Sequence, residues 1–334
     1  MFSQIIVTLS ALLNRLSPSR VAHLRPHHLL LPLTLGALLL LPTAVPAKDV
    51  ATDVEAQTQV SRQGGALFKI QRAGHTVYLF GTIHIGRADF YPLDPKVRQA
   101  LKQSSRIALE LDPGNAQAMM PSLQKYGMYA DGNTNTQDLP PALQQSVSAL
   151  LEKNGMPTAN LAVMKPWLLA TMLALSEYTG SGYQPQYGVD TVLADFAHSQ
   201  HKPLVELESA EQQLSLMGNL SISDQVLFLQ DTVTGMSDPA NAKKALQLVA
   251  LWRGGDLDGL AAMLQELTND ATFSSKFVQR ALLDGRNPGL ADGIGKLLKS
   301  TPTAFAGIGI LHLVGSNSVP ALLRQRGYSV ERIY

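Results

Sequence analysis

The 334-residue sequence contains no cysteine. No disulfide can form, no lipid can be attached through a thioether, and no thiolate can bind a metal. The fold must rest on its apolar core, and any metal site must use imidazole and carboxylate ligands. A charge excess is missing as well, with 27 Lys and Arg against 26 Asp and Glu. Without a basic field to neutralise phosphates, and without base-reading motifs, no nucleic-acid partner is expected. Membrane-spanning runs are also lacking. The apolar run from Leu29 to Leu41, LLLPLTLGALLLL, is far shorter than the ~20 residues that a bilayer core requires. What remains is ordinary globular material, 45% hydrophobic and 16% charged.

Arg15, Arg20 and Arg25 precede that run, and PTAVPA follows it, with small residues at Val45 and Ala47. Basic, apolar, then small is the order of a secretory signal peptide. Residues 1–47 are therefore expected to be a signal peptide cleaved after Ala47, giving a periplasmic or secreted protein with no stable membrane span. An uncleaved anchor is the alternative. Residues 48–65 are polar and read as a loose lead-in. No linker rich in Pro, Gly or Ser divides residues 66–334, which are expected to form one domain.

ALFKIQR and TVYLF predict a β-hairpin, with His75 solvated in its turn. DPKVRQALKQS predicts a short helix with Asp94 as its cap and Pro95 in its first turn. RIALELD, Arg106 to Asp112, predicts a buried strand. From Pro113 to about Ser300 the apolar spacing is helical, interrupted by one short strand, KPLVELE. The Met and Leu stripes of these helices read as core, not as a cofactor pocket. TAFAGIGILHLVG, SVPALLRQRG and YSVERIY then predict strand, helix and strand.

Two stretches of this pattern match. VYLFGTIHIG is a strand, Gly81, two residues, His84 and Gly86. AFAGIGILHLVG is a strand, Gly309, two residues, His312 and Gly315. Each leads through a helix into another strand, so a pseudo-symmetric α/β core with a large helical insertion is expected. Glycine lets the chain turn out of a strand, and a histidine just beyond it faces the crevice where α/β sheets bind ligands. Either histidine alone reads more readily as a hydrogen-bonded core residue than as a ligand. Two in matching contexts point to a shared site.

Carboxylates stand at comparable places. Glu110 lies near the end of an apolar strand, where a charge is costly unless paired or metal-bound. Glu208 ends KPLVELE, and either serves the site, caps the next helix or pairs with an arginine. Asp112 and Glu206 read as exposed, and Asp190 in YGVD as a helix start. His198 and His201 read as solvated helix-end residues. GRNPG places Arg286 and Asn287 between two helices, as a carboxylate clamp, an oxyanion donor or a surface turn.

With these pieces in order, LFGTIHIG, ALELD, KPWLLA, YGVD, LVELESAEQQL, WRGGDL, RNPGLADGI and GILHLVGSNSVPALLRQRGYSVERI, the chain resembles the TraB/GumN family, which includes the Tiki proteins of animals. The resemblance implies an α/β core related to ChaN-like and erythromycin-esterase-like proteins. Its Tiki branch implies a metal-dependent peptidase supported by manganese or cobalt, with zinc also possible. Carried over by motif, His84, Glu110 and His312 would hold the divalent ion. Glu208 would accept a proton and Arg286 would stabilise an oxyanion, with Asn287 nearby. The absence of H-E-x-x-H argues against an ordinary zinc-protease mechanism. The substrate expected is a peptide or protein. The alternative is a non-catalytic protein that binds a peptide or a tetrapyrrole in the same cleft.

Overall fold

The protein is described by a computed structural model over residues 64–130, 133–156 and 162–334. The expected signal peptide, its cleavage site and the lead-in up to residue 63 lie outside the described residues. Alternating side chains in LFKIQR and HTVYLFGT build an antiparallel pair, β1 (Leu67–Arg72) and β2 (His75–Thr82). Ala73 and Gly74 alone make the turn, both with positive φ, the two-residue form that matches strand twist. His75 is therefore not a solvated turn residue. It is the first paired residue of β2, half-buried, with Nδ1 2.6 Å from the Leu298 carbonyl oxygen.

Helix α1 (Pro95–Gln103) begins as expected, the Asp94 carboxylate accepting from the Lys96 N–H at 2.7 Å. β3 (Arg106–Leu109) ends one residue before Glu110. A helical layer follows: α2 (Ala116–Gly127), α3 (Pro141–Lys153), α4 (Pro166–Gly180) and α5 (Val189–Ser199). The short β4 (Leu204–Glu206) interrupts it, as the sequence predicts. Then come α6 (Ala210–Gly218), α7 (Ile222–Met236), α8 (Pro239–Gly254), α9 (Leu257–Asn269) and α10 (Phe273–Phe277). A π-helix over Val278–Asp284 leads to α11 (Asn287–Ser300). β5 (Thr303–Gly309) passes into a 3-10 turn at Ile310–Leu313, and α12 (Val319–Gln325) and β6 (Ser329–Arg332) complete the fold. Among the described residues no helix is long and apolar enough to cross a membrane.

The six strands form one mixed sheet in the order β4-β3-β5-β2-β1-β6. β4, β3, β5 and β2 are mutually parallel, and β1 is antiparallel to both its neighbours. The two glycine–histidine repeats thus lie on adjacent parallel strands, with Thr82 opposite Gly309. From β2 the chain crosses over β5 to reach β3. From β5 it crosses the other way, past β2 and β1, to reach β6. Such a reversal opens a crevice beyond the carboxyl ends of the two strands, where open α/β sheets bind ligands. Both histidines follow those ends.

Two apolar cores meet nearby. One is the sheet core, with the Phe80 and Phe305 rings 6.1 Å apart. The other lies among helices and contains Trp167, Met217 and Leu229. Leu109 belongs to the first and Leu111 to the second, so Glu110 sits at their seam.

The exit of β2 is held by Trp252 of α8, which is fully buried, stacks on Phe90 and donates from Nε1 to the Gly81 carbonyl at 3.0 Å. Trp252→Ala should lower unfolding free energy by about 3–5 kcal/mol, by cavity formation and loss of this hydrogen bond. Urea denaturation would measure it, and a loss below 1 kcal/mol would show that the indole is not the anchor.

Candidate functional site

His84 lies two residues beyond β2, on a segment clamped by backbone. The Val189 N–H donates to the Ile83 carbonyl at 2.8 Å, and Gly86 and Gln184 bond to each other in both directions. The two chains approach so closely that a Cβ on Gly86 would fall 2.0 Å from the Tyr187 carbonyl oxygen, and one on Gly188 would fall 2.4 Å from that of His84. Asp190 occupies the first turn of α5, as its place in YGVD predicts, but it does more than start a helix. Its carboxylate is buried, accepts from the Thr82 hydroxyl at 2.7 Å and lies 2.7 Å from His84 Nδ1. A carboxylate against Nδ1 favours the tautomer protonated there and leaves the Nε2 lone pair directed outward.

His312 is built in the same way from other parts. It sits on the 3-10 turn after β5, with Nδ1 2.5 Å from Oδ1 of Asn287, the first residue of α11. The Asn287 Nδ2 donates to the Asn317 carbonyl at 2.8 Å, which fixes the carboxamide and leaves its oxygen for the imidazole. Again Nε2 carries the lone pair. Burial pushes the His312 pKa down to about 3; Glu110 opposes that shift and Arg286 adds to it. The ring is neutral at physiological pH.

The two imidazoles converge beside Gly309. The position a Cβ would take there is 3.3 Å from Glu110 Oε1, 3.6 Å from His84 Nε2 and 3.6 Å from His312 Cδ2. His312 Nε2 and Glu110 Oε1 are 3.9 Å apart. Glu110 Oε1 also accepts from the Gly309 N–H at 2.7 Å. Its other oxygen meets Arg286 Nη2 and, at 3.3 Å, Gln213 Nε2. Arg286 reaches across to Glu208 as well, donating from Nε at 2.9 Å and from Nη2 at 2.5 Å, while Gln213 donates to Glu208 at 2.8 Å. Glu208 is thus an arginine partner and not a helix cap; Ser209 caps α6, in a reciprocal box with Gln212. Burial would raise the Glu110 pKa, but the Arg286 guanidinium outweighs it and holds the carboxyl well below its ordinary range. Burial likewise opposes charge on Arg286, and Glu110 and Glu208 keep it protonated.

All six residues singled out from the sequence, His84, Glu110, Glu208, Arg286, Asn287 and His312, belong to this one constellation. Asp190 was read as a helix start only, and Gln213 carries no sequence signal at all. Asp112 is half-buried, not exposed: it accepts from the Gly114 N–H and stands 3.2 Å from His198, while Glu206 is exposed as expected. The donor chemistry suits a divalent ion. Two imidazoles with anchored Nδ1 atoms and one carboxylate oxygen surround the space that a Cβ on Gly309 would enter. Among the described residues no three His, Asp or Glu side chains form a group close enough to hold a metal ion. The candidate donor atoms lie beside Gly309 without forming a coordination shell.

The neutral His312 also has a consequence for stability. Unfolded, it binds a proton near the ordinary 6.5; folded, only near 3. The unfolded state therefore holds more protons between these values. This contribution is complete above about pH 6.5 and is lost as pH falls, by up to about 1.4 kcal/mol per pH unit. Glu110, depressed from its ordinary value, acts in the same direction at lower pH. Urea titrations from pH 7.5 to 5 should show a shallower loss for His312→Gln than for the wild type. Equal slopes would contradict a neutral buried imidazole.

The uncharacterized protein YbaP of Escherichia coli K12 is 27% identical to this chain over 252 residues, 74% of this chain and 87% of YbaP. Metalloprotease TIKI1 of Danio rerio is 26% identical across 76% of this chain and 60% of its own length. The Metalloprotease TIKI homolog of Nematostella vectensis is 23% identical across 77% and 64%. This chain thus spans less than two thirds of either animal protein. No solved structure gives a significant match. The TraB/PrgY/gumN family description covers residues 66–332, from the start of β1 to the end of β6, and the chain belongs to that family.

Proposed function

We propose that the protein is an exported metal-dependent hydrolase that cuts peptides. The observation that carries this reading is the meeting of His84 Nε2, Glu110 Oε1 and the His312 ring beside Gly309, each imidazole anchored through Nδ1. His84, His312 and Glu110 would hold a divalent ion; the family resemblance implies manganese or cobalt, and the donor set also admits zinc. Such an ion supplies Lewis acidity, polarising a carbonyl and acidifying water. Asp190 and Asn287 orient the two imidazoles. Glu208, its side chain 12% exposed against 1% for Glu110, is the carboxylate that can accept a proton from an attacking water. Arg286 holds both carboxylates, and its buried guanidinium would stabilise a developing oxyanion. The similarity to two animal metalloproteases supports hydrolysis of a protein or peptide. Export rests on the signal-like residues 1–47, with cleavage after Ala47, a lead-in over 48–65 and the functional domain in 66–334.

A second reading has its own support. Gly309, Arg286 and Gln213 all donate to Glu110, so its carboxylate is hydrogen-bonded without an ion. A non-catalytic protein that binds a peptide or tetrapyrrole in the cleft would look the same. Cleavage of a mixed peptide library with Mn²⁺ or Co²⁺, abolished by EDTA, decides for the hydrolase. A Soret band on adding haem, without cleavage, decides for the binder.

Metal analysis of untagged protein should find bound divalent ion in the wild type and none in the His84→Ala/His312→Ala double variant. Unchanged metal content in that variant removes the reading. Gly309→Ala is a gentler probe. At φ −52° and ψ 134° the backbone accepts any L-residue, while the new methyl enters the space between the three donors. It should reduce metal affinity by about tenfold or more, as displaced ligands do, and leave the melting temperature within a few degrees. Full metal affinity in Gly309→Ala would place the ion elsewhere.

A further inference from the structure

Next to the His312–Asn287 pair the surface opens into a groove of about 590 Å³. Its walls are the outer end of α9, the π-helix and the loop that follows the 3-10 turn. Leu264, Leu283, Leu311 and Val314 supply its apolar lining. The groove stops short of the point beside Gly309. Leu311, adjacent to His312, and Asn287, bonded to it, both line the groove, so it begins where the site ends.

Three features mark it as a binding surface. The first is the π-helix of seven residues, a rare form of helix. Such segments concentrate at functional positions, and this one brings Gln279, Leu283 and Asp284 to the groove. The second is chemistry. Asp284 is the sole formal charge among the described lining residues, and the side-chain carboxamides of Gln265, Asn269 and Gln279 make no hydrogen bond with the described residues. Carboxamides both donate and accept, as a peptide backbone requires of its partner. The third is a chain of hydrogen bonds. Asn317 Nδ2 donates to Asp284 Oδ1 at 3.2 Å, the Asn317 carbonyl accepts from Asn287 at 2.8 Å, and Asn287 holds His312 Nδ1.

We infer that this groove is a subsite for the peptide substrate, taking a lysine or arginine side chain against Asp284 while the carboxamides bind the neighbouring peptide groups. The inference rests on the peptidase reading for its substrate class and adds recognition of a basic side chain through charge. A cation in the groove meets the single carboxylate and no opposing cation. An acidic side chain would meet repulsion. Occupancy at Asp284 is also connected, through Asn317 and Asn287, to the orientation of His312.

The test uses labelled octapeptides in which one Lys is moved through an Ala/Leu background, and the same set with norleucine. Binding is read by fluorescence anisotropy on the His84→Ala/His312→Ala protein, and cleavage on the wild type with Mn²⁺. One Lys placement should bind about fivefold tighter than its norleucine counterpart, the effect of a half-exposed ion pair, and the advantage should shrink with salt. Asp284→Asn should bring the ratio close to 1. So should Asn269→Lys, which adds a cation to the groove without touching Asp284. Equal affinity of the two sets, no measurable binding of either, or a preference that survives both substitutions overturns the inference. Preference in binding without any cleavage by the wild type leaves the groove in place and removes the hydrolase. Cleavage without preference does the reverse.

Discussion

Glu110, Arg286 and Glu208 form a buried cluster of two carboxylates around one guanidinium, with Gln213 closing it. Charges at this depth are costly in water-free surroundings, and an apolar trio of the same volume would stabilise the fold as well or better. The cluster does what an apolar trio could not: it keeps a carboxylate oxygen ionised and aimed at the space beside Gly309. It also ties the end of β3, the exit of β4 and the start of α11 together. Removing one member would strand a charge at the seam of two cores, and such losses typically reach about 3–5 kcal/mol. The site and the junction between sheet and helices are thus the same set of contacts.

The two imidazoles are related by position but not by environment. His84 has a carboxylate on Nδ1 and is partly open to solvent; His312 has a carboxamide there and is buried. Both partners fix the orientation of their ring through Nδ1. His312, neutral by burial, is a donor that protonation does not remove near neutral pH.

Much of this arrangement was legible in the residues. The strands were readable because parallel strands buried on both faces appear as apolar runs, and the helices because three- and four-residue spacing persists for nearly two hundred positions. The repeated glycine–histidine element pointed to one cleft because its two copies had the same surroundings. Asp190 was hidden by its ordinary place in the first turn of a helix, where an acidic residue needs no other explanation. Gln213 was hidden because a glutamine within a helix has no positional signature. His75 was misplaced by one residue of turn length, since the hairpin closes with Ala73 and Gly74 alone. What periodicity cannot express is which polar side chain turns inward to meet another far along the chain.

That gap is widest at the centre of the site. Glu110 and Arg286 are 176 residues apart in sequence, and Gly309 lies a further strand away. The helical layer between them is the insertion that returns Arg286 to the sheet. Its apolar core holds the guanidinium against Glu110. Closing a loop of this length costs chain entropy, which the packing on both sides offsets. An ionised Glu110 buried without Arg286 would be strongly disfavoured, so a partly folded chain cannot hold the donor oxygen in place. Ion binding, on the reading proposed above, belongs to the finished fold and not to its assembly.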